Sequence, residues 1–277
     1  MRAPPPLPAI LTAHLFPQIE EMLIQLLASL RADEWERQTV APAWKVKDVA
    51  AHLLDTHLRK LSMARDGYWP PMAPITDLVS FVNRLNAEGV AVYRRLSPPV
   101  LLRLMEIASR ESAAWHGSLD PFSPAAFGVS WAGEETSLNW FDTAREYTER
   151  WHHQQQIRLA VERPGIMTPE LYHPVLDCFL RGLPYVYREV PAAIGTVLEF
   201  HFSGDCGGDW WLYRECDSWR LAANSPGKAT SRVTIPGEIA WRIFTKGIDP
   251  DSASAQVRVE GNQDLGLHIL TLRAIVG

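Results

Sequence analysis

The segment R-E-Y-T-E-R-W-H-H-Q-Q-Q, residues 145–156, sets a carboxylate and two adjacent imidazoles one helical turn apart. At about 100° per residue, positions i, i+3, i+4 and i+7 share a helix face. Glu149 can therefore meet His152 at i+3 or His153 at i+4. The first pairing, E-x-x-H, is the di-iron arrangement of helical bundles, which needs a second E-x-x-H and two more glutamates. The predicted bundle helices contain no second E-x-x-H, which weighs against a dinuclear centre. A mononuclear centre needs one more ligand from another helix, and the histidines of D-V-A-A-H-L-L-D-T-H-L-R-K-L are the candidates. His52 and His57 point roughly 140° apart on a helix, so only one serves easily. His52 sits among Val49, Ala50, Leu53 and Leu54, in the segment expected to be buried. Arg59 and Lys60 beside His57 predict that His57 reaches solvent. Spacing alone is equally compatible with a hydrogen-bonded core histidine or a surface pair.

The elements that position these residues are mostly helical over the first 160 residues. Helical periods predict helices over 8–31, 48–65, 75–96 and 138–161, with a short helix after S-P-P-V, where Pro98 and Pro99 suit a first turn. The third is expected to bury Leu78, Phe81, Val82, Leu85 and Val92. On the last, Asp142, Glu146, Glu149, His153 and Gln156 form a polar line a quarter-turn from Trp140, Ala144, Tyr147 and Trp151. Such a helix has little face left for solvent, so part of the polar line is expected to point inward, where each group must be paired or bound. His152 is expected to point away from the ligand line, and Gln154 and Gln155 into solvent. Four long helices with a polar inner stripe predict an antiparallel four-helix bundle.

Beyond residue 165 the pattern becomes α+β. A helix is expected at 168–188, then strands at 196–202, 209–214, 219–223 and 231–235 with S-G-D-C-G-G and A-N-S-P-G turns between them. Helices at 236–245 and 262–275 flank a short strand at 256–260. The expected domains are 1–165, a metal-binding bundle, and 166–277, helices on an antiparallel sheet. Trp210 and Trp211 are expected to serve the core on one side and an interface on the other.

A formal charge of −5 argues against a nucleic-acid partner. There is no run of about 18 apolar residues to span a membrane and no signal-peptide core, so a cytoplasmic location is expected. Cys178, Cys206 and Cys216 are too few and too scattered for a disulfide framework.

Two segments carry a family resemblance. A-P-A-W-K-V-K-D-V-A-A-H-L-L-D-T-H (41–57) resembles the W-[ST]-V-[KR]-D-[VL]-x-x-H-L signature of the DinB-like superfamily, in its mycothiol-dependent maleylpyruvate isomerase branch, through Trp44, Val46, Lys47, Asp48, His52 and Leu53. Residues 145–160 resemble that branch's last bundle helix, R-x-x-E-x-x-x-H-x-x-D/Q. The resemblance implies a bundle followed by a sterol-carrier-like domain, with zinc or another divalent ion, nickel included, held by His52, Glu149 and His153. One departure is Lys45, where the family has a Ser or Thr suited to cap the helix.

Two imidazoles and a carboxylate leave a divalent ion with an open position, the mark of a catalytic site. The resemblance fills it with the thiolate of a low-molecular-weight thiol such as mycothiol, attacking a small electrophile in an isomerase or an S-transferase reaction. In the isomerase the thiolate adds to the double bond of maleylpyruvate, the bond rotates, and the thiol leaves. An anionic substrate calls for a cation, and Arg145, Arg150, Lys246 and above all Arg242 are candidates, Arg242 being assigned the catalytic role. Two other functions compete: a metal-dependent hydrolase using bound water with Asp142 or Glu146 as base, and a non-catalytic protein binding a small molecule. A monomer and a homodimer are equally compatible with the sequence.

Overall fold

The computed structural model describes residues 4–69 and 75–276. By its contacts the chain divides into two compact units. One comprises residues 11–126 and 138–166, the other residues 4–10, 127–137 and 167–275. The expected single boundary near residue 165 thus omits two excursions: the N-terminal strip and the 127–137 loop belong with the C-terminal unit.

Among the described residues the first unit holds five α-helices: α1 (Phe16–Ala28), α2 (Val46–Lys60), α3 (Leu78–Tyr93), α4 (Pro98–Ser118) and α5 (Asn139–Val161). Its apolar core is built by α1, α2, α4 and α5, through residues such as Leu23, Leu27, Leu53, Leu54, Met105 and Ile157. The bundle class therefore stands, but its membership differs from expectation. The helix after Pro98-Pro99 runs 21 residues and is a full bundle member. Its inward Ser109, Ser112 and His116 are buried polar residues, which hid its core face from a hydrophobic reading. Conversely α3 buries only Gly89 and Val90; Leu78 and Val92, expected in the core, are 42% and 52% exposed.

Helix α2 starts at Val46 with Lys45 as its N-cap. A lysine side chain cannot accept a hydrogen bond, so Asp48 does the capping: its Oδ2 accepts the Lys45 N–H at 3.1 Å, while Oδ1 pairs with Arg94 at 3.0 Å. The helix start thus survives the family departure. After Lys60, α2 passes into a π-helical turn, Leu61–Arg65.

The second unit carries α6 (Pro169–Leu180), α7 (Leu183–Val186), β1 (Val197–Ser203), β2 (Gly208–Arg214), β3 (Trp219–Ala222), β4 (Ser231–Pro236), α8 (Gly237–Phe244), α9 (Pro250–Ala255), β5 (Arg258–Gly261) and α10 (Gln263–Leu267). The strand order is β3-β2-β1-β4-β5, and β1 and β4 run parallel. The sheet is therefore mixed, not antiparallel as expected. β3 has four residues and ends level with Glu199, so the 223–230 loop returns to the start of β1, where the Thr230 N–H donates to Val197 O at 2.7 Å. β4 must then leave in the direction of β1. Phe200, Phe202, Val233 and Ile235 on the inner face and Phe179, Trp241 and Phe244 on α6 and α8 are all buried. Trp210 is buried there, its Nε1 donating to Asp177 at 2.9 Å, while Trp211 packs on Val197, Tyr213 and Ala222 of the other face.

Candidate metal centre

Helix α5 decides the site. It buries 17 of its 23 residues, including Asp142, Glu146, Arg150, His152, His153, Gln154, Gln156 and Arg158. It runs antiparallel to α2, since Lys60 meets Asp142 (2.7 Å), Thr56 meets Arg150 (2.7 Å) and His52 meets His153 (ring centroids 4.6 Å). The polar line read from the sequence is thereby split in two.

At one end of the pair, one ligand atom each from His52, Glu149 and His153 lies within 4.8 Å of the others. His153 Nε2 is 3.4 Å from Glu149 Oε2. Its other ring nitrogen, Nδ1, is 2.9 Å from Gln156 Oε1, which can only accept. That bond places the proton on Nδ1 and leaves the Nε2 lone pair facing the carboxylate. His52 is buried, and burial first, then the neighbouring His153, holds its pKa well below the ordinary value. It is thus a neutral imidazole, the form that ligates. Its Nδ1 is buried without a hydrogen-bond partner. Trp44 covers the pair, its ring 4.6 Å from His52 and 5.9 Å from His153. The 38–44 turn fixes that tryptophan, with Trp44 N–H donating to Ala41 O and Trp44 O accepting from Thr39 and Gln38.

Glu149 keeps 21% of its side chain exposed, which leaves an approach to the site. Burial works to raise its pKa, but the neighbouring His152 and His153 outweigh it and hold the carboxyl at about 2. No lysine or arginine lies within ion-pair distance of it among the described residues. A carboxylate facing two imidazoles, one with an orphaned nitrogen, suits a divalent cation; with three protein ligands such an ion retains an open position.

The other end of the pair is internally balanced. Lys60 Nζ bonds Asp142 at 2.7 Å and lies 3.4 Å from Glu146, which also pairs with Arg145 (2.8 Å) and Arg150 (3.1 Å). Glu20 of α1 lies 3.3 Å from His57 Nε2 and 3.4 Å from Arg150 Nε. His57 is therefore wholly buried, not solvent-facing as expected. The basic residues beside it misled, because Lys60 is itself inside the bundle. Asp142 and Glu146, the bases a hydrolytic reading would use, are held by these cations, as are Arg145 and Arg150 by the carboxylates.

Two further expectations change. His152 is buried against His153 (centroids 3.9 Å), its Nδ1 bonded to Thr148 O at 2.8 Å, and burial, then His153, depresses its pKa to about 3. Gln154 is buried; with its amide oriented to suit its neighbours, it donates to Ile19 O and accepts from Arg158. Buried polarity on every side of α5 defeats a one-sided helical-wheel reading. Arg242 lies on α8 of the second unit, its Nε donating to Gly247 O at 3.0 Å. Sequence reasoning gave no role to Gln156 beyond pointing inward; its i+3 spacing from His153 was the available signal.

These features define a class: a helical bundle with an open two-histidine, one-carboxylate centre, joined to an α+β unit. The chain belongs to the family of the mycothiol maleylpyruvate isomerase N-terminal domain, whose model matches residues 16–158, just over half its length. Among solved structures it is similar to a histidine-to-alanine mutant of mycothiol-dependent maleylpyruvate isomerase, at 14% identity and TM-score 0.54, over 90% of this chain and 91% of that one. A second structure of mycothiol-dependent maleylpyruvate isomerase aligns with TM-score 0.48 at 14% identity, over 83% and 86% of the two chains. A UbiJ-SCP2 ubiquinone synthesis protein aligns over 35% of this chain and 94% of its own, at 14% identity and TM-score 0.26. No curated protein matches the chain. No helix among the described residues is long and apolar enough to cross a membrane.

Proposed function

We propose that the chain is a metal-dependent isomerase that uses a low-molecular-weight thiol, mycothiol or a relative, to isomerise a small electrophilic alkene of the maleylpyruvate kind. The observation that carries this is the convergence of His52, Glu149 and His153, with a partnerless His52 nitrogen and, among the described residues, no lysine or arginine within ion-pair distance of Glu149. A divalent ion, zinc or a similar metal, would be held by these three residues and would favour the thiolate over the thiol. The chain's own residues supply the rest. Gln156 fixes the His153 tautomer, Trp44 shields the two imidazoles, and the exposed edge of Glu149 marks where reactants arrive. Arg145 and Arg150 are committed to carboxylates of the bundle and so are not free to bind a substrate carboxylate.

The experiment is metal analysis of the purified protein alongside turnover of maleylpyruvate with and without added thiol. About one divalent ion per chain and thiol-dependent cis–trans isomerisation are expected, both lost in His153→Ala. Turnover that needs no thiol would replace this reading with hydrolysis. A metal-free protein indifferent to chelators would replace it with passive small-molecule binding.

A further inference from the structure

Helices α2 and α3 enclose a groove of about 320 Å³, made from the outer side of α2 and separate from the three-residue metal centre. That volume lies within the range of small-molecule sites. Three observations mark it as built rather than left over.

The first is the π-helical turn that extends α2 and turns Ser62 and Met63 into the groove wall. Such turns cost regular hydrogen bonding and are frequent at functional positions. The second is Gly89, in the middle of α3, where glycine costs about 1 kcal/mol relative to alanine. A Cβ there would stand 2.2 Å from the Asp55 carboxyl carbon, so the missing side chain is the space the carboxylate occupies. The third is the state of Asp55. It is buried, Arg59 Nε meets its Oδ2 at 2.6 Å, and its Oδ1 receives no hydrogen bond from any described residue. Burial raises its pKa despite Arg59, so one guanidinium under-compensates the charge. Arg59 is held back by a further bond to Asn86, at 2.8 Å.

The charges lining the groove are the carboxylates Asp55 and Glu88 and the cation Arg59, and Arg84 stands 4.0 Å from Glu88 at the exposed rim. The walls add two phenol rings: Tyr93, half-buried, and Tyr68, 64% exposed. A buried carboxylate with an oxygen left unbonded, beside aromatic faces, favours an organic cation, through a charge-assisted hydrogen bond and cation–π contact. We propose that this groove is a binding site for a small organic ammonium ion with an apolar body, its N–H groups directed at Asp55 and its body lying along Tyr68 and Tyr93. The proposal is independent of the isomerase reading.

The test uses phenethylammonium as probe on the full chain, with 2-phenylethanol as the neutral isostere and 3-phenylpropionate as the anion, read by amide shift mapping and calorimetry. Phenethylammonium is expected to bind saturably below about 10 mM, a modest affinity for so small a ligand, and to shift the Gly89 amide. The alcohol should bind at least about tenfold more weakly, and the anion not at all. Asp55→Asn should weaken the ammonium about tenfold. Glu88→Gln, at an exposed position that does not endanger folding, should weaken it a few-fold, and His153→Ala should leave it unchanged. Equal binding of the three probes, affinity indifferent to Glu88→Gln, or loss in His153→Ala would each overturn the proposal, as would absence of saturation.

Discussion

The two ends of the α2–α5 pair are made of the same residue types, yet differ in how their charges close. At the Lys60 end, three carboxylates (Glu20, Asp142 and Glu146) face three protein cations (Lys60, Arg145 and Arg150). At the His52 end, one carboxylate faces imidazoles whose pKa values are held down wherever a shift is resolved. Buried charge demands a partner. The first end finds it within the chain; the second, under the proposed function, takes it from outside as a divalent ion. Polarity inside a bundle is therefore no sign of a site until the cations have been counted.

The largest effects should separate the ends cleanly. His153→Ala should empty the metal centre, lowering affinity by more than the ~10–100-fold that follows loss of an outer partner, while the unfolding midpoint of the metal-free protein moves little. Equilibrium titration with a chromophoric chelator and urea denaturation give the two numbers. Lys60→Ala should do the reverse. It strands Asp142 and Glu146 without one of their cations and should cost roughly 3–5 kcal/mol of stability, with metal affinity nearly intact. A loss below about 1 kcal/mol would mean that Arg145 and Arg150 suffice to balance both carboxylates.

This division explains what was legible beforehand. The existence of the bundle helices, the α+β change after residue 165 and the grouping of three candidate ligands could be read, because each rests on local period or on a spaced motif. His52, Glu149 and His153 do converge. What could not be read depends on partners distant in sequence. His57 is buried because Glu20, thirty-seven positions earlier, receives it. Lys60 is interior because Asp142 is there to bond it. The same holds for the helices: α3 has an apolar period without a core to match it, and α4 has a core face disguised by Ser109, Ser112 and His116. Parallel pairing of β1 and β4 likewise depends on where the short β3 stops, which alternation of residues does not encode.

Gln156 tests the open end more finely. Replacing it with leucine removes the acceptor for His153 Nδ1 and frees the ring to change tautomer. Metal affinity should fall about 10–100-fold, and nitrogen shifts of the metal-free ring should show a mixture of tautomers. Gln156→Glu restores an acceptor and should restore both. If leucine leaves the affinity unchanged, packing under Trp44 rather than this hydrogen bond sets the imidazole.

The smallest effect belongs to His116, at the closed end. It stacks on Phe16 at 4.6 Å, and burial depresses its pKa to about 3, with neither ring nitrogen hydrogen-bonded. A histidine whose folded pKa is depressed stays neutral while its unfolded counterpart takes up a proton below about pH 6.5. The unfolded state then binds more protons, so stability falls as pH drops from about 6.5 towards 3. His116→Gln should change little at pH 7.5 and remove about one proton from the slope of unfolding free energy against pH between 6 and 4. Urea midpoints across that range measure it. An unchanged slope would assign the acid sensitivity to the other buried imidazoles whose pKa is depressed, His52, His57 and His152, and not to His116.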